Sequence, residues 1–131
     1  GRVQALGLQD RVRFTGYVPD EELPLWYNAA SVLAFPSLYE GFGMPVVEAM
    51  ACGTPVIAAN SSSLPEAVGE AGLLFDPQNV AELADRLTAV LHNPDLTATM
   101  RENGLLQAQQ FSWEKAGQET AVVYQKAMIE D

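Results

Sequence analysis

One stretch of the sequence decides the fold, and it reads EGFGMPVVEAMACGTPV from Glu40 to Val56. It follows a short apolar run, Val32–Phe35, passes through a glycine-rich turn and continues with helical spacing to Ala51. This order of strand, turn and helix is typical of the ligand-binding edge of an open α/β sheet, beyond the carboxyl ends of the strands. The stretch therefore predicts a parallel sheet and the position of a ligand on it.

Short apolar runs and amphipathic helical patterns alternate along the rest of the chain, which is typical of βαβ units. Gly, Pro or Ser residues bound each run, and the predicted strands are Val12–Thr15, Val32–Phe35, Pro55–Ala59 and Leu73–Phe75. The sequence thus predicts an α/β fold with a Rossmann-like parallel sheet and flanking helices, as one domain over residues 1–131.

Helices are predicted from the spacing of apolar residues and from start and stop signals. The first predicted helix follows Pro19 and buries one face with Leu23, Trp26, Tyr27 and Ala30. Ser63 and Glu66 have the spacing of a capping box before a short helix. The others are Met44–Ala51, a helix opened by Asp76-Pro77 with Val80, Leu83, Ala84, Leu87 and Leu91 on one face, a helix from Pro94 to about Gln110, and a last amphipathic helix capped by Ser112.

Length and charge narrow the possible functions. The 131 residues suffice for one core but not for two catalytic lobes. The net charge of −10 is a poor match for nucleic acid or an anionic membrane surface, so we expect neither as a direct partner. Because no Lys or Arg lies between Arg13 and Arg86, a phosphate bound there must be held by backbone N–H groups and a helix N-terminus, or by cations from elsewhere. The single cysteine, Cys52, fits a reducing cytoplasm.

The two carboxylates of the deciding stretch, Glu40 and Glu48, suit two parts of one elongated ligand. Glu48 lies four residues beyond Met44, or roughly 6 Å along a helix axis, and the turn adds to this separation. Retaining glycosidases need their carboxyl groups about 5–5.5 Å apart around a single bond. A carboxylate accepts hydrogen bonds from two neighbouring hydroxyls, at about 1.5–3 kcal/mol each. A ligand with a sugar hydroxyl, then phosphate, then a ribose hydroxyl fits this spacing.

The stretch resembles the E-x7-E motif of retaining GT-B glycosyltransferases of family GT4, the group 1 glycosyl transferases. The likeness extends across nearly the whole chain, through VRFTGYV, FPS, ACGTPVI, LPE and FSWE. It implies the carboxyl-terminal, donor-binding domain of such an enzyme, without that domain's first two strands and without the amino-terminal acceptor-binding domain, which would be its partner. The intact enzyme is expected in the cytoplasm, where it can lie at the inner face of the membrane.

The resemblance also implies a reaction and a set of site residues. Glu40 is the catalytic residue, which binds hydroxyls of the donor sugar and orients it. The donor-binding residues are Gly41, Phe42, Gly43 and Met44 against the sugar and diphosphate, Glu48 at the ribose diol, and Tyr17 and Val18 near the base. The donor is a nucleotide diphosphate sugar of the GDP-mannose or UDP-glucose type, and its hexose passes to an acceptor hydroxyl with retention of anomeric configuration. No metal or other cofactor is expected.

Alternatives remain for these residues and for the function. Glu40 can be a solvated turn residue, Glu48 a surface residue of its helix, and Gly41 and Gly43 ordinary turn glycines. The family has a basic pair between its first two strands, and the absence of that pair favours a non-catalytic nucleotide-sugar-binding or assembly module. Another GT-B enzyme, such as an epimerase or phosphorylase, is disfavoured by the E-x7-E context.

The family strand order, 3-2-1-4-5-6, gives one further structural expectation. Val12–Thr15 would be the third strand and Val32–Phe35 the fourth, and the two strands that this sequence lacks would lie between them. A gap would leave two unpaired strand edges. We therefore expect Val12–Thr15 to dock directly beside Val32–Phe35, or strands to exchange between chains.

Overall fold

A computed structural model describes residues 1–129 and has a three-stranded parallel sheet at its centre. The strands are β1 (Leu33–Phe35), β2 (Val56–Ala59) and β3 (Leu73–Phe75), in the order β1-β2-β3. Leu33 lies opposite Val56, and Ile57 lies opposite Leu73. Three of the four predicted strands are thus confirmed, with ends that differ by at most one residue.

Helices cover both sides of this sheet and extend beyond it. The described residues form α1 (Arg2–Ala5), α2 (Leu23–Ala29), α3 (Met44–Ala51), α4 (Leu64–Val68), α5 (Val80–His92), α6 (Pro94–Ala108) and α7 (Trp113–Ile129). None of the described helices is both long and apolar enough to cross a bilayer. The parallel sheet and its flanking helices confirm the predicted α/β architecture.

The core surrounds β2, all four residues of which are buried. An uninterrupted apolar strand is typical of the centre of a parallel sheet that is covered on both faces. On one side α3 contacts α6 closely, because a side chain at Gly104 would lie 3.4 Å from the side chain of Met50. The core side chains on α3 and α4 are Val46, Val47, Ala49, Met50, Leu64, Ala67 and Val68. This packing fixes the start of α3 against the carboxyl ends of β1 and β2.

The predicted strand Val12–Thr15 is wrong, and so is its docking beside β1. The segment has no regular structure, and 81% of Phe14 is exposed. The N–H groups of Arg11 and Val12 both donate to the carbonyl oxygen of Leu8, at 2.9 and 3.0 Å, which turns the chain locally instead of pairing it with a neighbour. Within the described residues β1 pairs only with β2. Exchange of strands between chains stays a prediction.

Two of the predicted helix faces are only partly buried. On α2, Tyr27 is half-buried but Trp26 is exposed, since this short helix packs mainly against α3. On α5, Val80 and Leu91 are exposed, and the buried stripe runs instead through Leu83, Leu87 and Val90. Tertiary neighbours decide which side of an amphipathic pattern is covered.

The ends of two helices test the predicted caps. The Ser112 hydroxyl accepts a hydrogen bond from the N–H of Lys115 at 3.1 Å, so the predicted cap of α7 is confirmed. The predicted capping box at Ser63 is wrong, because α4 has no side-chain cap there and the Ser63 hydroxyl donates to another loop. The predicted apolar face of α7 is not covered, since 86% of Trp113 is exposed and no described residue of the helix is buried.

Candidate functional site

The loops that follow β1 and β2 lie side by side at the carboxyl edge of the sheet and are joined by serine side chains. The Ser61 hydroxyl donates to the carbonyl oxygen of Ser37 at 2.9 Å. The hydroxyls of Ser62 and Ser63 both donate to the carbonyl oxygen of Glu40, at 2.7 and 3.1 Å. Ser61–Ser63, called the serine loop below, thus holds the main chain of Glu40 and leaves its carboxylate uninvolved.

Ser62 makes these bonds from a strained backbone. Its φ is +53°, the only positive value among the described non-glycine residues. Such a conformation costs on the order of 1–3 kcal/mol and persists where surrounding structure determines it. The Ser62 oxygen also accepts a weak hydrogen bond from the N–H of Glu40 at 3.4 Å. The strain is therefore located at the residue whose hydroxyl contacts both the N–H and the carbonyl oxygen of Glu40.

The loop between β1 and α3, residues 36–43 and called the Glu40 loop below, contains two glycines with different structural roles. Gly43 is the N-cap of α3 at φ +96°, and a Cβ atom there would lie 2.7 Å from Cδ2 of Leu64. Gly41 has no positive φ, and a Cβ atom there would meet no protein atom within 4 Å. The alternative of an ordinary turn glycine thus explains Gly43 but not Gly41.

The start of α3 faces this loop without a side-chain cap. Pro45 lies in its first turn, where its missing N–H costs nothing, and the positive end of the helix is directed at the loop. Phe42 anchors the loop from the other side, because its ring packs edge-to-face on Phe111 with centroids 5.2 Å apart. The half-buried Phe42 side chain therefore has a packing role.

Glu48 lies on the second turn of α3, half-exposed, and is hydrogen-bonded to α2. The hydroxyl of Tyr27 donates to Oε2 of Glu48 at 3.1 Å. Burial, followed by the hydrogen bond and the negative charge of Glu48, raises the pKa of Tyr27 to about 12. The carbonyl oxygen of Tyr27 accepts a 2.7 Å hydrogen bond from Thr54, which is 1% exposed. Sequence reasoning assigned Tyr27 only to a buried face, since nothing in the sequence links positions 21 residues apart.

The structure brings most of the predicted site residues to one edge of the sheet. Gly41, Phe42, Gly43 and Met44 form a continuous approach to α3, with Glu40 before it and Glu48 within it. Tyr17 lies in an irregular segment before α2, with 84% of its surface exposed, next to the half-buried Val18. The location of these last two residues near a base stays a prediction.

Other features lie apart from this site. A shallow cleft of about 370 Å³ is lined by residues of α5 and α6, among them Val90, Thr97 and Arg101, and by none of the Glu40 loop. Arg101 donates to the carbonyl oxygen of Gly53 at 2.7 Å, which is a structural contact. Residues 1–129 contain no group of three or more His, Cys, Asp or Glu side chains that could hold a metal ion.

Comparisons with known proteins agree on one family. Residues 1–107 match the model of "Glycosyl transferases group 1". The chain is 46% identical to O-antigen chain mannosyltransferase B of Escherichia coli, over 86% of this chain and 30% of that protein.

Solved structures give the same result. Sucrose-phosphate synthase of Thermosynechococcus elongatus superimposes with a TM-score of 0.88 and 38% identity, over 99% of this chain and 33% of that chain. HepE of Anabaena, solved in complex with UDP-glucose, gives 0.85 and 32%, over 95% and 35%. Both neighbours are GT-B glycosyltransferases. The chain spans about a third of the length of the relatives it matches. From the family match, the relatives and the shared fold together, we conclude that this chain belongs to the group 1 glycosyl transferases.

Proposed function

We propose that this chain is the donor-binding portion of a retaining glycosyltransferase, in which a hexose passes from a nucleotide diphosphate sugar to an acceptor hydroxyl. The observation that carries the proposal is the arrangement of Glu40 and Glu48 on either side of the glycine-lined start of α3. In the proposed complex the ligand extends from Glu40 to Glu48, with its hexose at Glu40, its diphosphate at the start of α3 and its ribose at Glu48.

The Glu40 end suits a sugar hydroxyl. The main chain of Glu40 is held by the serine loop, and its carboxylate takes part in none of the hydrogen bonds and ion pairs among residues 1–129. Glu40 is half-buried as a residue, and its carboxylate is available to accept from two hydroxyls, at about 1.5–3 kcal/mol each. In the intact enzyme, Glu40 would orient the hexose for transfer.

The middle of the site suits a diphosphate. Gly41 has open space where a side chain would be, although neither its backbone nor its packing requires glycine. A ligand that lies against the main chain leaves no room for a side chain, and this accounts for a glycine at position 41. The uncapped start of α3 supplies N–H groups and a partial positive charge, which a phosphate favours in a region without Lys or Arg.

Similarity to known proteins supports the choice of donor. One relative is a mannosyltransferase and one structural neighbour is in complex with UDP-glucose. We therefore propose a donor of the GDP-mannose or UDP-glucose type, with retention of configuration at the sugar and no metal or other cofactor. The whole enzyme would act in the cytoplasm with an amino-terminal acceptor-binding domain.

Calorimetric titration of UDP-glucose and GDP-mannose into the wild type, Glu40→Ala, Glu48→Ala and Glu102→Ala tests the proposal. Glu102 is an exposed residue of α6 and serves as the matched control. We expect the control to bind at least one donor like the wild type. Glu40→Ala and Glu48→Ala should each weaken that binding by about tenfold to a hundredfold, which corresponds to one charge-assisted hydrogen bond. Equal affinity in all four proteins would refute the assignment of the site.

A non-catalytic nucleotide-sugar-binding module is the second candidate. It is favoured by the absence of Lys and Arg between Arg13 and Arg86, since loss of a diphosphate leaving group needs positive charge nearby. Donor binding without release of nucleotide, measured with the full-length protein and a range of acceptor sugars, would favour this candidate. Release of UDP or GDP that depends on Glu40 would exclude it.

A further inference from the structure

We infer that Tyr27 is a positioning residue of the donor site, which holds the carboxylate of Glu48 so that its second oxygen faces the ribose diol. The inference rests on the proposed function and adds a residue on α2 that belongs to neither the Glu40 loop nor α3. Its basis is the 3.1 Å hydrogen bond from the Tyr27 hydroxyl to Oε2 of Glu48.

The position of Tyr27 is itself fixed by the fold. Its carbonyl oxygen accepts from the Thr54 hydroxyl at 2.7 Å, and the N–H of Thr54 donates to the carbonyl oxygen of Ala49 at 2.9 Å. Thr54 is buried between the end of α3 and the start of β2. These bonds tie the last turn of α2 to the turn after α3, so the phenol reaches Glu48 from a main chain that is anchored to the same helix.

A tyrosine suits this task better than a cation. A tyrosine is protonated in the neutral range even at its ordinary pKa of 10.0, and burial and the neighbouring carboxylate raise the pKa of Tyr27 further, to about 12. Its hydroxyl is therefore a neutral donor that occupies Oε2 without cancelling the negative charge of Glu48. The carboxylate keeps its full negative charge, and Oε1 remains to accept from the two ribose hydroxyls, whereas Lys or Arg at this place would compete with those hydroxyls for the carboxylate.

The chemistry of the ribose provides a specific readout. If Tyr27 acts through Glu48 on the diol, its hydroxyl matters only when the nucleotide carries the 2′- and 3′-hydroxyls. The probes are UDP and GDP beside their 2′,3′-dideoxy forms, titrated into the wild type, Tyr27→Phe, Glu48→Ala and the double variant. Tyr124→Phe on the exposed face of α7 is the matched control. Thermal unfolding of each variant reports whether the fold is kept.

We expect Tyr27→Phe to weaken binding of the ribonucleotide about threefold to tenfold, as one hydrogen bond contributes. Binding of the dideoxynucleotide should not change, and Tyr27→Phe should have no further effect in the Glu48→Ala background. Tyr124→Phe should behave like the wild type with every probe.

Three results would overturn the inference, and they separate it from the proposed function. Equal losses for the ribonucleotide and the dideoxynucleotide would give Tyr27 a purely structural role. No loss in Tyr27→Phe, beside a clear loss in Glu48→Ala, would remove Tyr27 and leave the proposed site intact. No loss in Glu48→Ala would reject the ribose assignment and with it the role of Tyr27.

Discussion

The hydroxyl of Ser62 donates a 2.7 Å hydrogen bond to the carbonyl oxygen of Glu40, from a backbone that is strained at φ +53°. This contact joins the loop after β2 to the loop after β1, and Ser63 adds a second bond to the same oxygen. Glu40 is thus held by its main chain, while its carboxylate has no hydrogen-bond or ion-pair partner among residues 1–129. The serine loop therefore determines where the main chain of Glu40 lies, and with it the sugar end of the proposed site.

Ser62→Ala and Ser62→Gly should differ in their effect on stability. Alanine keeps the left-handed strain and loses the hydroxyl, so we expect the free energy of unfolding to fall by about 0.5–1.5 kcal/mol. The Ser62→Gly variant also loses the hydroxyl but relieves strain of on the order of 1 kcal/mol. We therefore expect it to be more stable than Ser62→Ala by about that amount. Denaturant unfolding of both variants measures the difference.

The same two variants test the link between the serine loop and the sugar. Both should bind UDP-glucose more weakly than the wild type while binding UDP alone with unchanged affinity, because only the hexose reaches Glu40. A matched loss for UDP and UDP-glucose would contradict this link.

How far the sequence predicts this molecule depends on whether a signal is local. The limits of α3 follow from Pro45 in its first turn and Gly53 after its end, and both signals act within a few residues. The strand expected at Val12–Thr15 fails because a strand needs a neighbour, which no local pattern supplies. The N–H of Val12 instead donates to the carbonyl oxygen of Leu8 in the preceding turn.

The candidate site divides in the same way. Its motif, from Glu40 to Glu48, could be recognised from spacing and from family likeness alone. The hydroxyl of Ser63 was expected to cap its own helix, but it donates to a carbonyl oxygen 23 residues away. The bond from Tyr27 to Glu48 spans 21 residues. Such contacts exist only once the loops and helices have packed, so no spacing rule predicts them.

The two glycines of the Glu40 loop should separate stability from binding. The methyl group of Gly43→Ala would clash with Leu64, and the positive φ at this position is unfavourable for alanine. We therefore expect a loss of about 1–3 kcal/mol in the free energy of unfolding. Gly41→Ala meets nothing in the protein and should leave stability unchanged, but its methyl group would occupy space that the proposed donor needs. Unfolding and donor titrations of both variants measure the contrast. Normal donor binding by Gly41→Ala would show that the ligand does not approach there.

The contact between Phe42 and Phe111 should control the order of the Glu40 loop. Phe111→Leu keeps an apolar side chain but removes the edge-to-face geometry, which contributes about 0.5–1.5 kcal/mol beyond area. We expect a stability loss of that size and a weaker affinity for the donor, because the loop is released on one side. Leu106→Ala on the exposed face of α6 is the control and should change neither quantity. A Phe111→Leu variant that binds the donor normally would separate this packing from the site.

The last prediction concerns stability at high pH and follows from the pKa of Tyr27. Its folded pKa of about 12 lies above the ordinary value of 10.0, so the unfolded chain loses this proton first as pH rises. Between about pH 10 and 12 the unfolded state therefore binds fewer protons than the folded state, and stability falls across that window. Below pH 10 the contribution of Tyr27 is fully present and constant.

Ultraviolet titration of phenolate formation, beside denaturant unfolding at each pH, measures this behaviour. Tyr27→Phe should remove the phase near pH 12 and flatten the fall in stability above pH 10. Glu48→Gln should move the phase downward but not back to the ordinary value, because burial, the largest cause of the shift, remains when the charge of Glu48 is gone. An unchanged phase in Glu48→Gln would mean that the two side chains are not in contact in solution. Tyr27 would then have no route by which to position the carboxylate.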